Sequence, residues 1–170
     1  FKMEEIRKFF KEIKDIDDLK EKLKKKGIIF NKNKKDCGLM ILKYDKSNPL
    51  CNLGDEFTSY CRGMIIDLND YHKYFSITIV CIPPEKAYKF SELIPINIEY
   101  NKLVFEEFYD GTMINVWYYN YINGAKWYIS TRSRIGADCK WFSDKTFGEL
   151  FYEALDTDKL DIELLDKNIC

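Results

Sequence analysis

The sequence predicts an α+β fold: helices first, a mainly antiparallel sheet in the middle, and helices last. Three observations carry this. Apolar residues recur at three- and four-residue steps from Ile6 to Leu23. Beyond Gly38 the apolar period shifts towards two. From Lys145 the helical spacing returns through Phe147, Leu150, Phe151 and Leu155. The 170 residues suffice for one domain with a real core, divided as a helical segment over 1–36, a β-rich core over 37–142 and a helical segment over 143–167.

The elements follow in order. Ile6, Phe9, Phe10, Ile13, Ile16, Leu19 and Leu23 lie on one helical face. Asp15 to Asp18 break that face into two helices, with Asp17 the expected N-cap of the second. Lys24 to Lys26 and then Gly27 suit a helix C-terminus, with cations at the negative end of the dipole followed by a glycine. Residues 31–36 read as a polar loop. Strands are expected over 39–44, 60–67, 73–82, 102–108, 113–119 and 126–131. Pro49 and Gly54 mark a loop over 45–56, and Pro83-Pro84 end the third strand. Asn123-Gly124 is a hairpin turn signal. A short second helix is expected over 158–165 at the tail.

Composition bounds the function. Hydrophobic residues make up 46% and charged residues 32%, a globular profile, and the net charge of −1 gives no overall basic field. The charge is uneven. Lys2 to Asp36 holds 13 basic and 8 acidic residues, and Asp144 to Lys167 holds 3 basic and 8 acidic. The basic end suits either phosphate or a solvated helix face. The 6 cysteines form no C-x-x-C pair, and the single histidine, His72, is near none of them, so the pattern is not that of a zinc site. Free thiols fit a reducing, cytoplasmic compartment. No signal peptide is expected, and no apolar run of the sequence is long enough to span a membrane. The chain starts at Phe1 and stops at Cys170, which reads as a fragment of a longer protein.

Four segments carry candidate chemistry: Cys61-Arg62-Gly63-Met64-Ile65-Ile66-Asp67, the run from Pro83 through Lys86 and Lys89 to Phe90, Glu106-Glu107-Phe108-Tyr109-Asp110-Gly111-Thr112, and Tyr128-Ile129-Ser130-Thr131-Arg132-Ser133-Arg134. Their order and spacing resemble the adenylation core of the phage-type RNA ligase 1 family, among the lysine-adenylating nucleotidyltransferases. The resemblance covers roughly residues 39–155. It implies an antiparallel nucleotidyltransferase core of the ATP-grasp-like ligase kind. In that family a lysine amine attacks the α-phosphate of ATP to give lysyl-AMP. The AMP then passes to a 5′-phosphorylated end and is displaced by a 3′-hydroxyl. Such a nucleophile is a desolvated amine among cations. The resemblance implies ATP and Mg2+ as cofactors and RNA ends as partners, with DNA left open. It implies nucleotide contacts from Arg62, Gly63, Lys86, Lys89, Glu107, Asp110, Gly111, Arg132 and Arg134, and no metal ligand is assigned.

The chain departs from the family pattern at three places. Phe108 stands where the Lys-x-Asp-Gly motif has its lysine. Lys102 shares the face of Phe108 on the expected strand, but about 20 Å away at roughly 3.3 Å per residue. Ser133 or Arg134 stands where the family's Ser-Lys-Gly-Ser has glycine. The family's later carboxylate and lysines have no counterpart before Cys170. The sequence therefore also admits a catalytically inactive relative that binds nucleotide without forming lysyl-AMP, and an interaction domain with no nucleotide site.

Plainer structural readings stand beside these. Asp110-Gly111 also suits an ordinary turn. Arg62 suits a strand-edge arginine paired with Asp67 or Glu56. Arg132 and Arg134 share one face of the expected strand, as a phosphate clamp or as solvated charges. Glu106 and Glu107 point to opposite faces of theirs, which speaks against a shared acid–base role. The aromatic run Trp117, Tyr118, Tyr119, Tyr121, Trp127 and Tyr128 is expected to pack across a hairpin rather than stack bases.

Overall fold

A computed structural model of the chain describes residues 2–32, 38–71, 76–84, 87, 99–107, 110–121 and 124–168. Two helices come first, α1 (Lys2–Lys11) and α2 (Ile16–Lys25). The strands β1 (Ile28–Lys32) and β2 (Leu39–Tyr44) follow, then the short helix α3 (Glu56–Tyr60), β3 (Arg62–Asp67) and β4 (Thr78–Cys81). A hairpin of β5 (Asn115–Tyr121) and β6 (Gly124–Ser130) precedes the helix α4 (Phe147–Asp158). The α+β class is as expected. The β-strands form an antiparallel four-stranded sheet in the order β1-β2-β3-β4, and β5-β6 pair as a separate antiparallel ribbon.

Side-chain alternation on β2 and β3 explains how these pieces stack. Met40 and Leu42 of β2, with Met64 and Ile66 of β3, face Ile6, Phe10, Leu19, Leu23 and Phe57 of the helices. The intervening residues Leu39, Ile41 and Ile65, with Cys81, face Trp117 and Tyr128 of the hairpin. Strands buried on both faces read as continuous apolar runs, which is why Leu39 to Leu42 and Met64 to Ile66 show no polar alternation. On the helical side, Phe57 stacks on Phe9 at 3.9 Å and meets Phe10 edge-on at 5.6 Å. On the hairpin side, fully buried Trp117 stacks on its cross-strand partner Tyr128 at 4.6 Å. The aromatic run thus includes a core pair, as expected. Tyr119 adds a polar tie, its hydroxyl donating to buried Asp67 Oδ2 at 2.9 Å.

Several expectations are corrected. The second helix is capped by Asp15, not Asp17: Asp15 Oδ1 accepts the Asp18 N–H at 2.7 Å, the third helical N–H that an N-cap reaches. Asn31 and Lys32, expected to open a polar loop, instead pair with Ile41 and Met40, so the segment expected to be helical over 1–36 holds the strand Ile28–Lys32, and 33–36 lie outside the described residues. The strand expected from Tyr60 starts at Arg62, since Asp55 caps a helical turn over 56–60. Ser76 and Ile77 precede β4 rather than joining it, and 73–75 lie outside the described residues. No strand forms over 102–107: Tyr100–Lys102 is a 3-10 turn, and Leu103 to Glu107 have no regular structure. The parity placed on Lys102, Glu106 and Glu107 therefore does not apply. The helix expected over 158–165 is a 3-10 turn at Ile162–Leu164. His72 and Asn123 lie outside the described residues, while Tyr121 pairs with Gly124, as a two-residue hairpin link requires.

Candidate functional site

Three parts of the chain meet at Gly63. β3 pairs with β2 through Met64 opposite Leu42 and Arg62 opposite Lys43, so Gly63 is the extra residue of a β-bulge. Its φ of +110° is open to glycine and strained for other residues. The bulge brings the backbone against the end of the hairpin. A Cβ on Gly63 would lie 3.1 Å from Arg132 Cα, 3.3 Å from the Arg132 carbonyl oxygen and 3.3 Å from Asn115 Nδ2. Asn115 opens β5 opposite Ser130, the last residue of β6. The Arg-Gly segment and the Ser-Thr-Arg segment, 68 residues apart at Gly63 and Thr131, are thus adjacent in space.

The path beyond Ser130 is set by a hydroxyl. Buried Thr131 Oγ1 accepts the N–H groups of Ser133 and Arg134 at 3.4 and 3.1 Å, and the Thr131 N–H donates to the Arg134 carbonyl at 2.9 Å. The chain turns there instead of extending, and Ile135 comes back to bridge Ser130. The expected shared face of Arg132 and Arg134 is therefore corrected. Arg132 Nη2 donates to the Tyr44 carbonyl at 3.0 Å, and its guanidinium carbon sits 4.4 Å from the Tyr44 ring centroid. Arg134 points away into an exposed ion pair with Asp138 at 3.4 Å.

The site carries an electrostatic signature. Arg132 Nε and Asn115 Nδ2 are buried donors with no hydrogen-bond partner among the described residues. Buried groups of this kind are uncommon and call for an explanation. Nearby, Ser47 donates its hydroxyl at 2.7 Å and its backbone N–H at 3.0 Å to Asp45 Oδ1. These bonds hold the Asp45 carboxyl below its ordinary range, and the charges of Lys43 and Arg132 act in the same direction. Partial burial and then Asp45 push the Cys51 thiol up, against Arg132 and Lys46. Such a thiol is a poor nucleophile.

The remaining expected residues are dispersed. Arg62 is half-buried at the bulge. Glu107, Asp110 and Gly111 are exposed on the segment that leads into β5. Gly111 lacks the tight surroundings of Gly63: its φ is not positive, and a Cβ there would meet none of the described residues within 4 Å. Lys86, Lys89 and Phe108 lie outside the described residues. Among the described residues, no group of three or more His, Cys, Asp or Glu could hold a metal ion. Among them too, no helix is long and apolar enough to cross a membrane. Tyr44 and Asn115 are site residues that the sequence reading missed. Asn115 had a faint signal, since asparagine is depleted in strands. Tyr44 had none.

The chain is similar to viral proteins that carry RNA-ligase names. It is 27% identical over 126 residues to a provisionally named RNA ligase of African swine fever virus from a South African tick isolate, covering 65% of this chain and 24% of the relative. A protein of the same provisional name from a Malawi tick isolate is 26% identical over 125 residues, with the same shares covered. The matching protein of a Namibian warthog isolate, 27% identical over 126 residues, is named only as uncharacterized protein M448R. The chain spans about a quarter of the length of these curated relatives. No family model matches the chain. No solved structure matches it either.

Proposed function

We propose that this chain is an RNA ligase-like nucleotidyltransferase domain that binds ATP and nucleic-acid ends in RNA end-joining or repair. The observation that carries the reading is the meeting of Arg62-Gly63 with the Thr131–Arg134 turn. It occurs in a chain similar to viral proteins with RNA-ligase names. Arg132 Nε and Asn115 Nδ2 are donors in want of acceptors, and phosphate oxygens would satisfy both. Because both atoms are covered, reaching them takes a shift of Arg132 off Tyr44. Arg62 at the bulge would add a cationic contact. Arg134 would join only by leaving Asp138, and Lys86, Lys89, Glu107, Asp110 and Gly111 only if their segments close over the nucleotide. Magnesium would arrive on the phosphates of ATP, whose oxygens supply much of its shell.

A second reading is favoured by Phe108: the domain binds nucleotide but forms no lysyl-AMP, because phenylalanine has no amine to attack phosphorus. Intact mass after incubation with ATP and magnesium, beside a Phe108→Lys variant, separates the two. An AMP adduct on the native protein means a ligase-type enzyme with a displaced lysine. An adduct on the variant alone means a nucleotide-binding relative without the nucleophile. Melting in ATP tests the site itself. A ligand at a hundred times its dissociation constant adds about 2.7 kcal/mol. No ATP-dependent rise in melting temperature would sink the nucleotide reading and leave an interaction domain.

A further inference from the structure

Beyond Arg134 the chain builds a projecting loop with a tied base. The Phe147 N–H donates to the Cys139 carbonyl at 2.9 Å, and Gly148 N–H to the Ala137 carbonyl at 3.0 Å. Lys140 and Thr146 form an isolated bridge, and Thr146 starts α4 in a reciprocal capping box with Glu149. Residues 141–145, held between these ties, are all exposed. At their head stand Trp141, 68% exposed, and Phe142, 97% exposed, with ring centroids 5.1 Å apart and planes at 82°. Phe142 has a φ of +52°, a left-handed conformation rare for an aromatic residue. A well-anchored loop that spends backbone strain to hold two rings in water is a feature to read towards ligand binding.

We infer that Trp141 and Phe142 form a stacking platform for the bases of a single-stranded nucleic acid. Every base has a π-face, so such a platform takes any sequence, and nearby cations hold the strand. Lys140 precedes the two rings and Lys145 closes the loop, with Lys145 paired to Glu153 and the upstream Arg134 to Asp138, so Lys140 is the cation beside the rings for which no ion pair is seen among the described residues. Along the chain the two rings are bracketed by the polar residues Lys140, Ser143, Asp144 and Lys145, so the exposed aromatic run of the loop is two residues long, a length that suits one or two bases. The ligand class rests on the nucleic-acid half of the proposed function and not on the ATP site. The negative charges of Asp138, Asp144, Glu149 and Glu153 around the loop limit the electrostatic share, so stacking is the larger part of the affinity.

The test exploits the exposure of the 3 tryptophans: Trp117 and Trp127 are 0% and 8% exposed, leaving Trp141 as the one in solvent. A single-stranded RNA of about a dozen nucleotides should quench that exposed emission saturably, and a blunt duplex should not. By anisotropy of labelled RNA, Trp141→Ala and Phe142→Gly should each weaken binding roughly 5- to 150-fold, the range expected for one stacked base. Both positions are exposed, and unchanged emission from the buried tryptophans checks the fold. Unaltered RNA affinity in both variants overturns the inference while leaving nucleic-acid binding elsewhere on the chain. No RNA binding at all, with an ATP melting shift intact, overturns it and leaves the ATP site. A change in Trp141 emission with protein concentration but not with RNA overturns it in favour of a protein-contact patch.

Discussion

Gly63→Ala is the sharpest perturbation the structure offers. The new methyl would sit 3.1 Å from Arg132 Cα, 3.3 Å from its carbonyl oxygen and 3.3 Å from Asn115 Nδ2. Two of these neighbours are backbone atoms held by the Thr131 turn and cannot swing aside. Overpacking of this kind costs about 1–3 kcal/mol. The φ of +110° lies outside the left-handed region that alanine tolerates and adds roughly 1–3 kcal/mol of strain. Against this, alanine lowers unfolded-chain entropy, which returns about 0.4–1 kcal/mol. The net loss should be about 2–4 kcal/mol, or roughly 5–15 °C in Tm for a chain of this length. Urea unfolding followed by tryptophan fluorescence measures it. Gly111→Ala is the control: with no positive φ and no described residue within 4 Å of the new methyl, it should be neutral or up to about 1 kcal/mol more stable. A Gly63→Ala protein within about 0.5 kcal/mol of the native chain would refute the close approach on which the site is built.

Three further outcomes are expected. Tyr119→Phe removes the donor to buried Asp67 Oδ2 and should cost about 1–2 kcal/mol in urea unfolding, with no loss meaning that the tie between hairpin and sheet is idle. Arg132→Lys loses both the planar contact with the Tyr44 ring and the fixed bond to its carbonyl, and should lower stability by about 1 kcal/mol. Asp55 caps α3 through the Thr58 N–H at 2.9 Å and pairs with Lys26 at 2.8 Å. Burial pushes its carboxyl up, but Lys26 and Thr58 outweigh this and hold it below its ordinary value. A depressed folded value means stability present at neutral pH and lost as pH falls from about the unfolded value through the lower folded one. The advantage of the native chain over Asp55→Asn, read from urea midpoints between pH 7 and pH 3, should therefore shrink on acidification. A constant gap would show that the carboxylate charge contributes nothing.

The helices and β2 were legible because burial on one or both faces leaves a direct mark on residue order: Leu19 and Leu23 recur at a helical step, and Leu39 to Leu42 run apolar without a break. α3 is a single turn, too short to show any period, and its cap Asp55 sits among loop-like residues. The misread strand over 102–108 contains Val104 and Phe105, good strand formers that are 81% and 89% exposed. Local propensity without a partner strand does not make a sheet. At the site, Arg62, Gly63 and Arg132 stood out by their order along the chain. Their meeting point did not, because it depends on a one-residue register slip at Gly63 and on a hydroxyl of Thr131 that ends the strand early. Both are three-dimensional decisions, and Asn115 and Tyr44 enter the site only as their consequence.

The sheet that carries two cores has a kinetic consequence. The helical cluster and the hairpin cluster share no residue, and β2 and β3 supply both. Loss of the hairpin would strip one face of the sheet and leave the other packed, and loss of the helices would do the converse. Amide hydrogens of β2 and β3, shielded from either side, should therefore exchange with solvent only on complete unfolding, while those of α1, α2, β5 and β6 escape through two separate partial openings. The hairpin bears Asn115 and leads into the Arg132 turn, so the proposed nucleotide site would open and close with one of these openings without disturbing the helical half.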